Sequence, residues 1–179
     1  MNGRTHTVQD WVSARGGNRH TGNRSRRGRQ RGLYHRSMIT RDEIRTRSAG
    51  HDYRYPLVTI AEFFEGNTFE DSIAPNQYGE GRPDLAEIAA RLTVLDADPA
   101  VAWIRVQLHE EMFDHDHDGI AAESVAICTS LPSSVIDGRL DVGELHAEPV
   151  WEGWSYDEDA YCDIPAIPDG HRVLTLVWD

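Results

Sequence analysis

The charged residues of this chain fall into two regions, and this division limits which part can fold. Residues 1–50 contain 12 Arg and only 3 acidic residues, whereas residues 51–179 contain 6 Arg and 27 acidic residues. The formal charges are therefore +9 and −21, within a total of −12. Residues 1–37 are rich in Arg and Gly and almost without aliphatic side chains, so they cannot bury enough apolar surface to offset chain entropy. We predict a largely disordered basic arm over residues 1–50 and an acidic globular domain over residues 51–179.

The length and composition restrict the class of protein further. A folded part of about 130 residues suits a single domain, and no apolar stretch approaches the roughly 18 residues that a membrane span needs. The N-terminus is basic but has no apolar segment of the kind found in secretory signals. Two Cys without CxxC spacing favour neither a disulfide framework nor a zinc site. The sequence therefore predicts no membrane contact and no cofactor, with the cytoplasm as the default location.

Several segments carry helix signals. The clearest helix follows Asp84, a favoured N-cap residue, and its apolar residues recur at spacings of three and four: Leu85, Ile88, Ala89, Leu92 and Leu95. Capping-box spacings at Thr40 and Thr59 predict shorter helices, although an extended strand over residues 57–63 is an alternative to the second. Pro132 lies in the first turn of a short helix that begins at Ser130 and that we expect Gly138 to interrupt.

Three segments carry the pattern of β-strands. Residues 101–109 alternate apolar and polar side chains, which is typical of a strand with one buried face. Residues 124–129 are expected to pair with them as an antiparallel hairpin, and residues 172–178 form the last strand. The predicted fold class is α+β, with a small antiparallel sheet and one or two helices packed on one face. Five residues are expected to share the core: Leu92, Ile104, Val106, Ile127 and Leu176.

Some of these segments resemble a family of small uncharacterised proteins of high-GC bacteria. The resemblance lies in an opening like residues 62–67 (EFFEGN), followed by residues 72–76 (SIAPN), and in an aromatic-Asp end at Trp178 and Asp179. A strand like residues 99–108 and a second strand that ends in Thr-Ser are also shared. The resemblance covers roughly residues 55–179 and implies kinship without a known activity.

The loop between the first two predicted strands contains half of a calcium-binding motif. Asp114, Asp116 and Asp118 occupy positions 1, 3 and 5, and Gly119 occupies position 6. Position 12, however, is Val125 and not the bidentate Glu that closes such a loop. His115 and His117 in the same loop, together with His109, could bind a transition metal. The alternative interpretation is a solvated, charged hairpin tip.

No catalytic motif is found, so the sequence assigns no enzymatic activity. The segment before the last predicted strand offers a different kind of candidate site, because aromatic and acidic residues stand close together there. We name five residues as a candidate partner-binding surface: Trp151, Trp154, Asp157, Glu158 and Asp159. For the two Trp, core packing is the alternative interpretation and the one we favour.

Three classes of function are compatible with these observations. The first is an acidic protein-binding module for a basic partner, such as an immunity-type protein that neutralises a basic toxin, because a charge of −21 attracts basic proteins. The second is a metal-binding protein or metal-dependent enzyme that uses the loop at residues 109–118. The third is nucleic-acid contact through the Arg-rich residues 1–37, which the acidic domain would oppose. We favour the first.

Overall fold

The computed structural model describes residues 38–77, 79, 81–109 and 119–178, which belong to one compact unit. The described part of the chain contains four α-helices and a five-stranded antiparallel sheet. The predicted α+β class is confirmed, with more helices than the one or two that were predicted. The arm at residues 1–37 lies outside the described residues, so its disorder stays a prediction.

The helices and strands are numbered in chain order. They are α1 (Arg41–Ala49), β1 (Tyr55–Pro56), β2 (Val58–Thr59), α2 (Ile60–Phe64), α3 (Leu85–Asp96), β3 (Val101–Leu108), β4 (Ala122–Thr129), α4 (Ser133–Leu140), β5 (Trp151–Glu152), β6 (Tyr161–Cys162) and β7 (Arg172–Val177). Short 3₁₀ helices are found at Glu70–Ser72, Pro75–Gln77 and Glu158–Ala160.

The main sheet has the strand order β2-β3-β4-β7-β5, and every neighbouring pair is antiparallel. The predicted hairpin of β3 and β4 is confirmed, with Ile104 opposite Ile127. β1 and β6 form a separate two-stranded parallel sheet. In the main sheet, the long strands β3, β4 and β7 therefore lie in the middle and the two-residue strands lie at the edges.

One face of the main sheet packs against the helices and forms the main core. We call this side the inner face. All four helices contribute buried apolar side chains to it, and the five predicted core residues are all among its members: Leu92, Ile104, Val106, Ile127 and Leu176. The exposed fraction of each is 1% or less. The core prediction is therefore confirmed.

Helix α1 packs with the domain. Its side chain Ile44 is fully buried, and Ile39, just before the helix, is 5% exposed. The Ile39 amide donates to the Glu62 carbonyl at 2.7 Å, and Arg47 forms an ion pair with the Glu62 carboxylate. Residues 38–50, which the sequence analysis grouped with the arm, thus supply part of the core. A helix with so few apolar residues gives little periodic signal, and tertiary contact fixes its place.

The helix termini follow the local sequence in three cases and depart from it in one. Thr40 and Thr59 each form a complete capping box, and the Asp84 side chain accepts from the Glu87 amide at 2.8 Å. Both alternatives for residues 57–63 are realised in part, since β2 ends where α2 begins. Helix α4 begins at Ser133 and continues through Gly138 to Leu140, so the predicted start at Ser130 and the interruption are wrong.

Strand β3 is buried on both faces, although its alternating pattern predicts one exposed face. Trp103 is 6% exposed and Gln107 is 1% exposed, on the side opposite Ile104. A register shift between Val101 and Trp103 leaves Ala102 exposed instead. The second face of the sheet must therefore be covered by another part of the chain.

Candidate functional site

The outer face of the sheet, opposite the helices, is covered by residues 153–167, which we call the cover segment. Beneath it lies a small apolar cluster that is separate from the main core: Trp103, Ala126, Cys128 and Val173, with Trp154 packed against them. The Trp103 indole N–H donates to the Ala166 carbonyl at 3.0 Å, so the segment is attached near its far end as well. This arrangement explains why both faces of β3 are buried.

Buried polar groups hold the cover segment in place. The Ser155 amide donates to Gln107 Oε1 at 3.3 Å, and the Ser155 hydroxyl bonds to the Ser124 hydroxyl at 2.7 Å. The Thr175 hydroxyl donates to the Gly153 carbonyl at 2.6 Å. Because an unpaired buried polar group would cost about 1–3 kcal/mol, these bonds favour one position of the segment on the sheet.

The cover segment and the neighbouring strands bring five aromatic rings together, which we call the aromatic layer: Tyr55, Trp103, Trp154, Tyr156 and Tyr161. Trp154 stacks on Trp103 with a centroid distance of 6.1 Å and an interplanar angle of 24°. Its centroid also lies 5.3 Å from that of Tyr161. Packing is thus the main role of Trp154, as the alternative interpretation had it, although part of the residue stays accessible to solvent.

Tyr161 lies at the centre of the aromatic layer and is 2% exposed. Its hydroxyl accepts a hydrogen bond from the Tyr156 amide at 3.2 Å. Burial raises the pKa of the Tyr161 hydroxyl well above its ordinary value, against the opposing effect of that hydrogen bond. The hydroxyl therefore stays protonated at neutral pH, and the centre of the layer carries no charge.

Trp151 differs from Trp154 because it lies on the edge strand β5 and is 39% exposed. Its Cα partner is Thr175, whose side chain lies on the outer face. The Trp151 ring lies over Gly153, where φ is +126° and an added Cβ would come within 3.0 Å of the ring. Glycine at this position allows both the backbone conformation and the position of the ring.

The three predicted acidic residues form a turn on the outside of the cover segment. Asp157, Glu158 and Asp159 are all exposed, and Glu158 and Asp159 begin the 3₁₀ helix Glu158–Ala160. Glu158 Oε2 accepts from the Trp154 indole N–H at 3.2 Å. The structure thus brings Trp154 and Glu158 into contact, while Asp157 and Asp159 follow the same turn.

The acidic turn is part of a longer acidic segment, which we define as residues 140–171. It contains no Arg and nine acidic residues, all of which are exposed: Asp141, Glu144, Glu148, Glu152, Asp157, Glu158, Asp159, Asp163 and Asp169. Within the described ranges, the carboxylates of two of the nine lie within 4 Å of a basic group, namely Glu152 near Arg172 and Asp163 near His51. Arg91 also donates to the backbone carbonyl of Asp141 at 3.4 Å. The segment therefore presents a largely uncompensated negative surface.

A polar cluster that was not predicted from the sequence lies beside the aromatic layer. His109 Nε2 lies 3.3 Å from Glu123 Oε2, and the Tyr156 hydroxyl donates to Glu123 Oε1 at 3.2 Å. Only the strand register brings the ends of β3 and β4 together here, with the His109 amide bonded to the Ala121 carbonyl. No sequence motif joins these residues, which come from three separate segments.

The predicted metal residues lie outside the described residues: Asp114, His115, Asp116, His117 and Asp118. The structure does show that Val125, at position 12 of the half-motif, is fully buried in β4. Glu123, the nearest acid, is hydrogen-bonded to Tyr156. Among the described residues, no group of three or more His, Cys, Asp or Glu side chains is placed to hold a metal ion.

Comparison with known protein families places this chain in a family. A family model described as the Uncharacterized protein YfbO family matches residues 39–176, which include α1 and most of β7. No curated protein and no solved structure matches the chain. Across the part of the chain that the structure describes, no helix has both the length and the apolar character needed to cross a membrane.

Proposed function

The chain belongs to the Uncharacterized protein YfbO family, and we propose that it is an acidic protein-binding module whose acidic segment, residues 140–171, binds a basic protein. The observation that carries this proposal is the exposure of all nine acidic residues in a segment that has no Arg. A surface of one sign speeds association with a partner of the opposite sign. An immunity-type protein that neutralises a basic toxin is one form of this function.

The contrast with the rest of the domain supports the choice of this surface. Elsewhere, Arg side chains lie beside carboxylates: Arg47 with Glu62, Arg91 with Glu87, and Arg139 with Asp98. Such pairs reduce the local field, since each places a positive charge beside a negative one. The acidic segment has Arg172 near Glu152 at its border and no Arg of its own, so its field stays negative.

An exposed aromatic side chain supports a binding role over a purely solubilising one. Trp residues are enriched among the residues that dominate binding energy at protein interfaces. Trp151 lies in the acidic segment with 39% of its surface exposed, and Ile167 is 43% exposed. A partner that covers Trp151 would gain apolar burial in addition to charge attraction.

The experiment is affinity capture with the full chain and two charge-matched variants. One variant has Asp157→Asn, Glu158→Gln and Asp159→Asn. The control removes three exposed acids elsewhere, by Glu65→Gln, Asp71→Asn and Asp96→Asn. Both variants therefore lose the same charge.

We expect the parent and the control variant to capture a basic protein that the 157–159 variant does not capture. Added salt should release this protein from the parent. The captured protein is then purified and its affinity for all three proteins is measured. Equal retention by both variants would assign binding to overall charge and would contradict the proposed surface. Absence of any salt-sensitive basic protein would reject the function.

A further inference from the structure

We propose that the basic partner is recognised through its arginine side chains, which bind against Trp151 and Trp154 with Glu158 as the counter-ion. This inference rests on the proposed function and names the chemical group that the surface selects. Its occupant is a segment of the partner that presents guanidinium groups.

The two Trp rings are held in place before any partner binds. Trp154 stacks on Trp103 and contacts Tyr161, while Trp151 lies over Gly153. Gly153 is itself fixed, because its amide donates to the Val173 carbonyl and its carbonyl accepts from the Thr175 hydroxyl. Aromatic side chains that are already ordered lose little conformational entropy on binding. The rings can therefore serve as preformed surfaces for a flat ligand group.

A carboxylate stands at the edge of one of these rings. The Trp154 indole N–H donates to Glu158 Oε2 at 3.2 Å, and Glu158 is exposed. A carboxylate offers about four lone-pair positions, so this bond leaves acceptor capacity on both oxygens. A guanidinium beside the exposed part of Trp154 would meet the ring and the Glu158 carboxylate together, and Asp157 and Asp159 add negative charge in the same turn.

The protein already places one guanidinium against the aromatic layer. Arg105 Cζ lies 6.0 Å from the centroid of the Trp103 ring, the ring on which Trp154 stacks. Arg105 also donates to its neighbour's backbone, the Ile104 carbonyl, at 2.7 Å. Attraction between a cation and a ring face extends to about 6 Å. The aromatic layer thus accommodates a guanidinium at Trp103. We assign the same chemistry to the solvent-accessible side of the layer.

Arginine fits this surface better than lysine for a physical reason. Guanidinium is planar and weakly hydrated, so it stacks on an aromatic face and binds a carboxylate with two parallel hydrogen bonds. An ammonium group is strongly hydrated and acts as a point charge. Where charge alone determines binding, the two residues are equivalent. A preference for arginine therefore distinguishes recognition by the rings from general attraction.

The test measures binding of two peptides to the full chain by calorimetry. One peptide alternates Arg and Gly, and the other has the same length and charge with Lys in place of Arg. We expect the Arg peptide to bind about three- to tenfold more tightly. Glu158→Gln keeps an oxygen for the Trp154 N–H and removes the charge, so it should weaken the Arg peptide more than the Lys peptide.

Two further variants distinguish the effect of the segment's charge on peptide affinity from the effect of the Trp154 ring. Glu148→Gln removes an exposed charge from the same acidic segment and should weaken both peptides equally. Trp154→Leu should bring the two affinities together, with thermal melting to show that the variant is folded. If Trp154→Leu does not fold, Trp151→Leu on the edge strand tests the same preference.

The outcomes for the two proposals differ. Equal affinity of the parent for both peptides would overturn arginine recognition and leave the acidic binding module standing. Binding of neither peptide would count against both. An arginine preference that survives Glu158→Gln and both Trp variants would place the arginine site elsewhere and overturn this assignment.

A further outcome of the test concerns the chain's own Arg-rich residues 1–37, which could compete with a partner for this surface. A full-chain variant with Arg24, Arg26, Arg27 and Arg29 changed to Gln tests this possibility. If the Arg peptide binds that variant much more tightly than it binds the parent, the arm holds the surface and the assignment to a partner is overturned. Equal binding supports the partner.

Discussion

At the scale of single residues, two tryptophans three positions apart have different surroundings. Trp154 stacks on Trp103, whereas Trp151 has 39% of its surface exposed on an edge strand. The difference comes from Gly153, whose φ of +126° redirects the chain between them. Trp154 thus holds the cover segment on the sheet while its indole N–H bonds the exposed Glu158, and Trp151 offers a partner the larger exposed surface.

The core supplies the first prediction at this scale. Ile104 is 1% exposed, so Ile104→Ala removes buried apolar groups and leaves a cavity, and we expect the free energy of unfolding to fall by about 2–5 kcal/mol. Val94 is 76% exposed on α3, and Val94→Ala should change it by no more than about 0.5 kcal/mol. Urea denaturation measures both. Similar values for the two variants would mean that the inner face of β3 has been assigned wrongly.

A buried thiol supplies a prediction about pH. Burial raises the pKa of the Cys162 thiol to about 11, whereas a thiol in an unfolded chain titrates near 8.5. Below about pH 8.5 both states keep the proton. Above that value the unfolded state loses it first, so the stability contributed by this group falls as the pH rises toward 11. Burial also raises the pKa of Cys128, which acts in the same direction.

The measurement is the free energy of unfolding between about pH 8 and 9.5, a range that lies below the titration of unfolded Tyr. We expect the parent to lose stability across this range and Cys162→Ala to show a shallower slope. Cys128→Ala serves as the comparison for the other thiol. An unchanged slope in Cys162→Ala would show that Cys162 is not buried as a neutral thiol.

At the scale of elements, the acidic hairpin loop supplies a prediction about calcium. The half-motif lacks its closing Glu: position 12 is Val125, which is fully buried in β4. Without a bidentate ligand at position 12, millimolar calcium should barely change the melting temperature. The matched variant changes Asp114, Asp116 and Asp118 to Asn.

On this view the Asn variant is as stable as the parent or slightly more stable, because repulsion among the carboxylates is relieved. Thermal melting with and without calcium and zinc measures both proteins. A large stabilisation of the parent by metal that disappears in the variant would support the metal-binding interpretation in place of the protein-binding one.

The elements also show what could be predicted from the sequence. The helix after Asp84 and strand β3 carry periodic patterns, while β4 and β7 are short, mostly apolar runs. Each of the four is confirmed near its predicted bounds. The cover segment gives no periodic signal, since its regular structure is confined to the 3₁₀ helix Glu158–Ala160 and the two-residue strand β6. Its position depends on contacts between distant residues, such as Ser155 with Gln107 and Trp154 with Trp103.

The candidate site was predicted by composition and not by arrangement. Acidic residues and two Trp lie close together in the sequence, so they could be named as candidate site residues. The contact of Trp154 with Glu158 spans four residues and is local. The cluster of His109, Glu123 and Tyr156 joins three segments, and only the paired strands bring it together. No single-sequence pattern reports a contact of that kind.

At the scale of the whole molecule, residues N-terminal to the change in charge already belong to the folded domain. The charge changes sign near residue 50, yet Ile39 and Ile44 are buried and the family match begins at residue 39. The sign of the charge reflects the composition of the protein surface, whereas the boundary of a domain depends on buried contacts. The basic residues of α1 therefore belong to the fold and not to the arm.

Limited trypsin digestion tests this boundary. Arg36 precedes the described residues, and Arg41, Arg45 and Arg47 lie in α1. Cleavage inside a packed helix requires local unfolding, so we expect a stable fragment that starts at Ser37, identified by mass spectrometry. Ile44→Ala weakens the attachment of α1 and should expose Arg45 and Arg47 to cleavage. A stable fragment of the parent that begins at Ser48 or Tyr55 would show that α1 contributes little to the fold and that the boundary follows the charge after all.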